Sequence, residues 1–249
     1  MDIKIIRALW GDYKSFMHEI PTSPLFDEVV YVWGKENYNF LINLGYECIL
    51  LSKDDFPITN VFKKYLPKLY AFEYGCRDYS KVLFLDWDTV PKKDIDNTFL
   101  NDLKTKEFSS PLYCYPDGIK SIPSAVDNQD AAMWIEKQIP FLNSYSWKLN
   151  NLSIVPNAGF VYISDLAIAS DLKNIAYDYN LETLVEELAL CIYSKCSLEE
   201  YIQKYEPFSI RGRNNDDFFN LGPVKGYYSK ILNDYIETFV EKEIYFEHI

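Results

Sequence analysis

Over residues 3–9, IKIIRAL, apolar side chains run almost unbroken up to Trp10-Gly11-Asp12, which predicts a buried strand closed by a turn. The turn opens into YKSFMHEI, read as a helix. A second strand follows at DEVVYVW (27–33), rich in β-branched and aromatic residues and closed by Gly34. Tyr38, Leu41 and Ile42 are spaced for a helix that stops at Gly45, and YECILLS (46–52) gives a third strand. This alternation predicts parallel βαβ units, an α/β protein with helices on both faces of a central sheet.

A further helix is expected within 64–75, started or interrupted near Pro67, and then KVLFLDWDTV (81–90) places four apolar residues before Asp86-Trp87-Asp88. In open α/β sheets ligands bind beyond the carboxyl ends of the strands, where strand order reverses, and the two aspartates lie at such an end. The second half is less regular. PLYCY (111–115) reads as a short strand, 116–130 as a loop, and 128–147 as a helix broken at Pro140. VPNAGFVYIS (155–164) reads as a turn followed by a strand, with helical patterns at 165–179 and 181–195. Residues 210–228 have the Gly, Pro and Asn content of a functional loop, and 230–244 read as a closing helix. No linker or repeat divides the chain, so one domain over 1–249 is expected.

Composition narrows the function. With 48% hydrophobic, 17% aromatic and 25% charged residues, the chain is globular. A net charge of −12 argues against a nucleic-acid partner, whose phosphates call for surplus Lys and Arg. The same charge repels an anionic substrate, so an enzyme acting on one needs a metal ion or a local basic group. The N-terminal apolar run is too short for a signal peptide, and no stretch approaches the ~18–20 apolar residues that span a bilayer. Five cysteines without a CxxC pair suit buried thiols in a reducing compartment. A soluble, cytoplasmic protein is expected.

Asp86 and Asp88 ask for a reason, because adjacent like charges at a strand end cost free energy unless a cation or hydrogen bonds offset them. In an extended or tight-turn backbone, residues i and i+2 project to one side, and hard carboxylate oxygens suit Mg²⁺ or Mn²⁺. The plain alternative is a solvated strand cap and turn. Asp86-Trp87-Asp88-Thr89-Val90 also resembles the motif of haloacid-dehalogenase-like phosphatases, in which the first Asp is a nucleophile. That motif belongs to the first strand of its domain, whereas three strands precede it here, and Asp216-Asp217 lacks the Gly-Asp context of the later acidic pair.

An Asp-X-Asp after about 85 residues of α/β structure resembles instead the GT-A glycosyltransferases, and within them the glycogenin-like family 8. PKLYAFEYGCRDYSKVLFLDWDTV (67–90) is similar to that family's basic residue, helix, Tyr-Ser-Lys, apolar strand and Asp-X-Asp. PNAGFVYIS (156–164) is similar to its Asn-Ser/Ala-Gly strand entry, and NLGPVKGYY (220–228) to its His-Phe-X-Gly-X-X-Lys-Pro-Trp loop, with Gly222 and Lys225 in register. The family's histidine ligand falls on Phe219, leaving Asn220, Asp217, Asp216 or His248 to replace it; Gly226-Tyr227 replaces Pro-Trp, and Glu186-Glu187 lies where the family has Asp-Gln.

The resemblance implies a GT-A fold with a mixed central sheet, residues to about 90 forming the nucleotide-binding half and about 91–249 the acceptor side. It implies transfer of a hexose from a nucleoside diphosphate sugar, a UDP-sugar, to an unidentified acceptor with retention, using Mn²⁺ or Mg²⁺. Asp88 would bind the metal, with Asp86 and Asn220 as further ligands. Leu9, Trp10, Gly11, Asp12 and Trp87 would meet the donor, Lys68 its sugar or phosphate, and Lys225 the β-phosphate, with Arg211 and Arg213 as alternative clamps. Asn157, Ala158 and Gly159 would line the acceptor side, and Glu187 would orient the sugar. The phosphatase, and a GT-A domain that binds a sugar nucleotide without turning it over, are the alternatives.

Overall fold

The computed structural model describes residues 3–15, 17–52, 66–91, 95, 97–110, 112–114, 154–156, 158–178, 185–194, 200–201, 204–205, 210–211 and 246–248. The expected loop at 116–130, the broken helix at 128–147, the closing helix at 230–244 and most of the 210–228 loop lie outside them.

The elements are β1 (Lys4–Leu9), β2 (Glu28–Trp33), α1 (Lys35–Asn43), β3 (Glu47–Leu51), α2 (Leu66–Tyr79), β4 (Val82–Leu85), β5 (Thr89–Pro91) and α3 (Asn97–Lys104). They continue with β6 (Phe108–Ser109), β7 (Leu112–Cys114), β8 (Ile154–Pro156), β9 (Phe160–Ile163), α4 (Leu166–Asp178), α5 (Val185–Ser194), β10 (Ile210–Arg211) and β11 (Phe246–His248). Six strands form a mixed sheet in the order β3-β2-β1-β4-β9-β6. The first four are mutually parallel, and β9 runs antiparallel to both β4 and β6. Order reverses between β1 and β4, so the crevice beyond Leu9 and Leu85 is the site that the topology provides.

Strands β1, β2 and β4 are buried on both faces, which is why their sequences read as nearly continuous apolar runs, whereas β3 at the sheet edge stays partly exposed. On one face Ile6, Ala8, Val29, Tyr31, Val82 and Phe84 pack with residues of α2, α4 and α5. On the other, Ile5, Leu83 and Phe160 meet Phe99 and Leu103 of α3, while Leu9, Val30 and Val32 meet Leu41 and Trp87. Gly75 lets α2 lie close to the sheet, since a Cβ there would come within 2.6 Å of Ile6 Cδ1.

Local signals behave as expected at α1. Gly45, at φ 88°, ends the helix in a Schellman motif, with the Gly45 N–H donating to Ile42 O and the Tyr46 N–H to Leu41 O. Pro67 sits in the first turn of α2, where a missing N–H costs nothing. The helix expected at YKSFMHEI is not formed. Only a 3₁₀ turn, Tyr13–Ser15, follows β1, because among the described residues of that stretch Ile20 alone is buried, leaving no apolar stripe to hold a helix on the core.

Candidate functional site

The Asp86-Trp87-Asp88 segment leaves β4 and closes a turn, the Thr89 N–H donating to Asp86 O at 3.1 Å. Two donors fix this turn to the strand beside it: Asp86 N–H at 2.8 Å and the buried Thr89 hydroxyl at 3.0 Å both reach Gly159 O. Gly159 thus adjoins the carboxylate segment, as the pairing of Leu85 with Phe160 requires. Trp87 turns into the core at 7% exposure, donating its indole N–H to Ala8 O and meeting the Tyr46 ring edge-on. Leu9 is buried in the same cluster, so both side chains belong to the core.

Asp86 points toward the α2–α5 side. Lys68, in the first turn of α2 and 5% exposed, donates to Asp86 Oδ2 at 2.7 Å and lies 3.2 Å from Glu186 Oε1. Glu186 and Glu187 stand in the first turn of α5, where the helix dipole favours negative charge. The Ala158 N–H donates to Glu187. Burial alone would lower the Lys68 ammonium, but the Asp86 and Glu186 carboxylates outweigh it and hold the group above the ordinary lysine range. Burial pushes Glu186 up despite Lys68. Burial, and next the charge of Glu186, lift Glu187 to about 8. Three carboxyls thus share one ammonium, and Glu187 keeps its proton at neutral pH.

Across the crevice, Trp10 packs partly buried against the core, and Gly11 adopts φ 74° with open space where a side chain would sit. Asp12 Oδ1 accepts the Lys14 N–H at 3.1 Å. This loop is held by Asn37, which sequence reasoning missed. Its buried amide donates to Gly11 O and Trp33 O and accepts the Tyr13 N–H. Arg7 and Glu28, a fully buried ion pair on the strands below, were also missed. The available signal was a lone basic residue on the same side of β1 as Ile5 and Leu9.

The structure therefore brings together Asp86, Lys68, Glu187 and the Ala158–Gly159 turn, with Asp88 next along the chain and Leu9 to Asp12 at the neighbouring strand end. Asn157, Asn220, Lys225, Arg213, Asp216 and Asp217 lie outside the described residues. Arg211 is in β10, which pairs with β11, and β11 pairs with β5 so that His248 stands opposite Thr89, one residue past Asp88. Among the described residues no group of three His, Cys, Asp or Glu side chains converges to hold a metal. Asp86 and Asp88 still offer two hard carboxylates on one turn, a donor set that fits Mg²⁺ or Mn²⁺ with the remaining positions left to substrate and water. Burial raises the Cys48 and Cys76 thiols to about 12, so neither is a nucleophile.

No protein-family model matches the chain, and no curated protein matches it. Solved structures do. A structure of mouse xyloside xylosyltransferase 1 is similar over 100% of this chain and 98% of its own, at 10% identity and a TM-score of 0.50. The galactosyltransferase LgtC, in complex with donor and acceptor sugar analogs, is similar over 99% of this chain and 86% of its own, at 13% identity and a TM-score of 0.54. The bifunctional glycosyltransferase WbbM matches 99% of this chain over 45% of its own, at 16% identity and a TM-score of 0.51. The chain has the GT-A fold. Among the described residues no helix is long and apolar enough to cross a membrane.

Proposed function

We propose that this protein is a metal-dependent glycosyltransferase that moves a hexose from a nucleoside diphosphate sugar, a UDP-sugar, to a hydroxyl acceptor with retention, residues 1–249 acting as one cytoplasmic unit. The observation that carries the reading is the placement of Asp86-Trp87-Asp88 at the switch point of a GT-A sheet, at the strand end next to the one that leads into Trp10–Asp12. The finer likeness to the glycogenin-like family rests on the three sequence motifs.

Asp88, with Asp86, would hold a divalent cation, which when bound offsets the charge that grows on the leaving diphosphate. For the third ligand there are two sources, Asn220 and His248, the second favoured by its backbone register beside Thr89. Trp10 and Asp12 would meet the base and ribose by stacking and hydrogen bonding. Lys68 would keep Asp86 oriented within a site of excess negative charge. Lys225, or Arg211 and Arg213, would draw in the β-phosphate of a donor that a −12 chain otherwise repels. Glu187, protonated at neutral pH, can donate a hydrogen bond to a sugar hydroxyl beside the Ala158–Gly159 turn. Asn157 would extend that acceptor side.

The test is a panel of nucleotide sugars assayed for slow Mn²⁺-dependent hydrolysis with wild type, Asn220→Ala, His248→Ala and Asp88→Asn. Hydrolysis of one donor that Asp88→Asn loses while remaining folded is the expected result, and the weaker of the two alanine variants names the third ligand. Donor binding without turnover would favour the binding-only alternative, and turnover of a phosphate ester with every donor intact would favour the phosphatase.

A further inference from the structure

Arg7 is fully buried in the middle of β1, in line with Ile5 and Leu9 on the face that α1 and α3 cover. A buried guanidinium is costly unless its donors are matched, and an apolar residue would fill the position more cheaply. Its Nε donates to Glu28 Oε2 at 2.6 Å; Glu28, itself 3% exposed, accepts the Leu25 N–H through its other oxygen. Its Nη1 donates to Asp86 O at 2.5 Å, and the group lies 5.1 Å from the centre of the Trp87 ring.

The acceptor is what gives the arrangement meaning. Asp86 O is the oxygen that also accepts the Thr89 N–H and closes the turn bearing Asp88. Holding that carbonyl fixes the Asp86–Trp87 peptide plane, and the plane sets where the chain carries Asp88. Trp87 completes the clamp from the other side, its indole N–H on Ala8 O, the residue after Arg7. The end of β1 and the carboxylate turn are thereby joined by two side-chain hydrogen bonds.

We infer that Arg7 is a positioning residue: through the Asp86 carbonyl it fixes the carboxylate turn in the geometry that a divalent cation and a diphosphate require, without touching either. The inference rests on the function proposed above. A residue kept for stability alone would alter melting and leave the affinity of the folded protein unchanged.

The experiment measures Mn²⁺ affinity in the presence of UDP, by the paramagnetic resonance signal of free Mn²⁺, alongside thermal melting. Arg7→Met/Glu28→Gln removes both buried charges together, so neither is stranded. Arg7→Lys keeps the cation beside Glu28 but cannot reach both acceptors, and it decides the matter if the double variant does not fold. Loss of one charge-assisted hydrogen bond predicts Mn²⁺ binding weaker by about tenfold or more in each folded variant. Wild-type affinity in the folded variants would overturn the positioning role alone. Failure of wild type to bind Mn²⁺ with UDP would instead overturn the functional reading, and this inference with it.

Discussion

Replacing Lys68 by Met removes the ammonium that contacts both Asp86 and Glu186, at 2.7 and 3.2 Å, and leaves two carboxylates beside a third carboxyl, Glu187, in a buried space. The Lys68 and Glu186 side chains are 7% and 3% exposed, so little solvent screening softens the loss. Breaking a buried pair on one side costs about 3–5 kcal/mol, which for a chain of this size lowers melting by about 10 °C. The cost should depend on pH. Lys68 has its folded pKa raised, so its contribution is complete below about 10.5 and is lost only as pH climbs through the folded value, outside a pH 5–8.5 assay. Glu187 runs the other way: an acid raised to about 8 takes up a proton on folding, so wild-type stability from this group falls as pH rises from about 4.5 to 8 and then levels. Without Lys68, Glu186 and Glu187 hold protons to higher pH, so the variant's deficit should grow with pH across this range. Urea unfolding at pH 5 and pH 8 reads both slopes, and Lys68→Met/Glu186→Gln should regain much of the loss. A deficit under 1 kcal/mol at pH 8, or one equal at both pH values, would refute the idea that one lysine neutralises this carboxyl cluster.

Two further outcomes follow from close contacts. Asn37→Ala strips the Gly11–Tyr13 loop of its amide partners, and should cost about 1–3 kcal/mol and weaken UDP binding measured by calorimetry; unchanged UDP affinity would free the loop from the donor role. Gly75→Ala gains about 0.5–1 kcal/mol of helix propensity but drives a Cβ to 2.6 Å from Ile6 Cδ1 and 3.1 Å from Val82 Cγ1. Overpacking of about 1–3 kcal/mol should win, and Ile6→Val should relieve it in chemical unfolding; a neutral Gly75→Ala would show that α2 sits less tightly on the sheet.

The parallel core was legible because β1, β2 and β4 are buried on both faces and so are written as nearly continuous apolar runs ended by Trp10-Gly11, Gly34 and Asp86. The same runs hide inward charge. Arg7 reads as a break in an apolar segment, and nothing along the chain says that Glu28, 21 residues on, is its partner. Helix α3 was missed although Phe99 and Leu103, four apart and both buried, carry the helical signal; the polar residues between them obscured it. The insertion of β9 between β4 and β6 depends on pairing between strands far apart in sequence, which periodicity does not encode. In the site, Asp86 and Asp88 stood out as clustered like charge, but the Lys68–Asp86–Glu186 group joins positions 18 and 100 residues apart and is visible only once α2 and α5 pack side by side. The helix expected after Asp12 does not form because, among its described residues, Ile20 alone is covered by the core.

The central claim is that the Asp86–Asp88 turn binds a divalent cation together with a donor's diphosphate. The most direct test is calorimetric titration of UDP into wild type and Asp88→Asn, each with and without Mn²⁺. UDP binding that requires Mn²⁺ in wild type and disappears in the folded variant is the predicted result. Binding that is indifferent to both the metal and the substitution would contradict it.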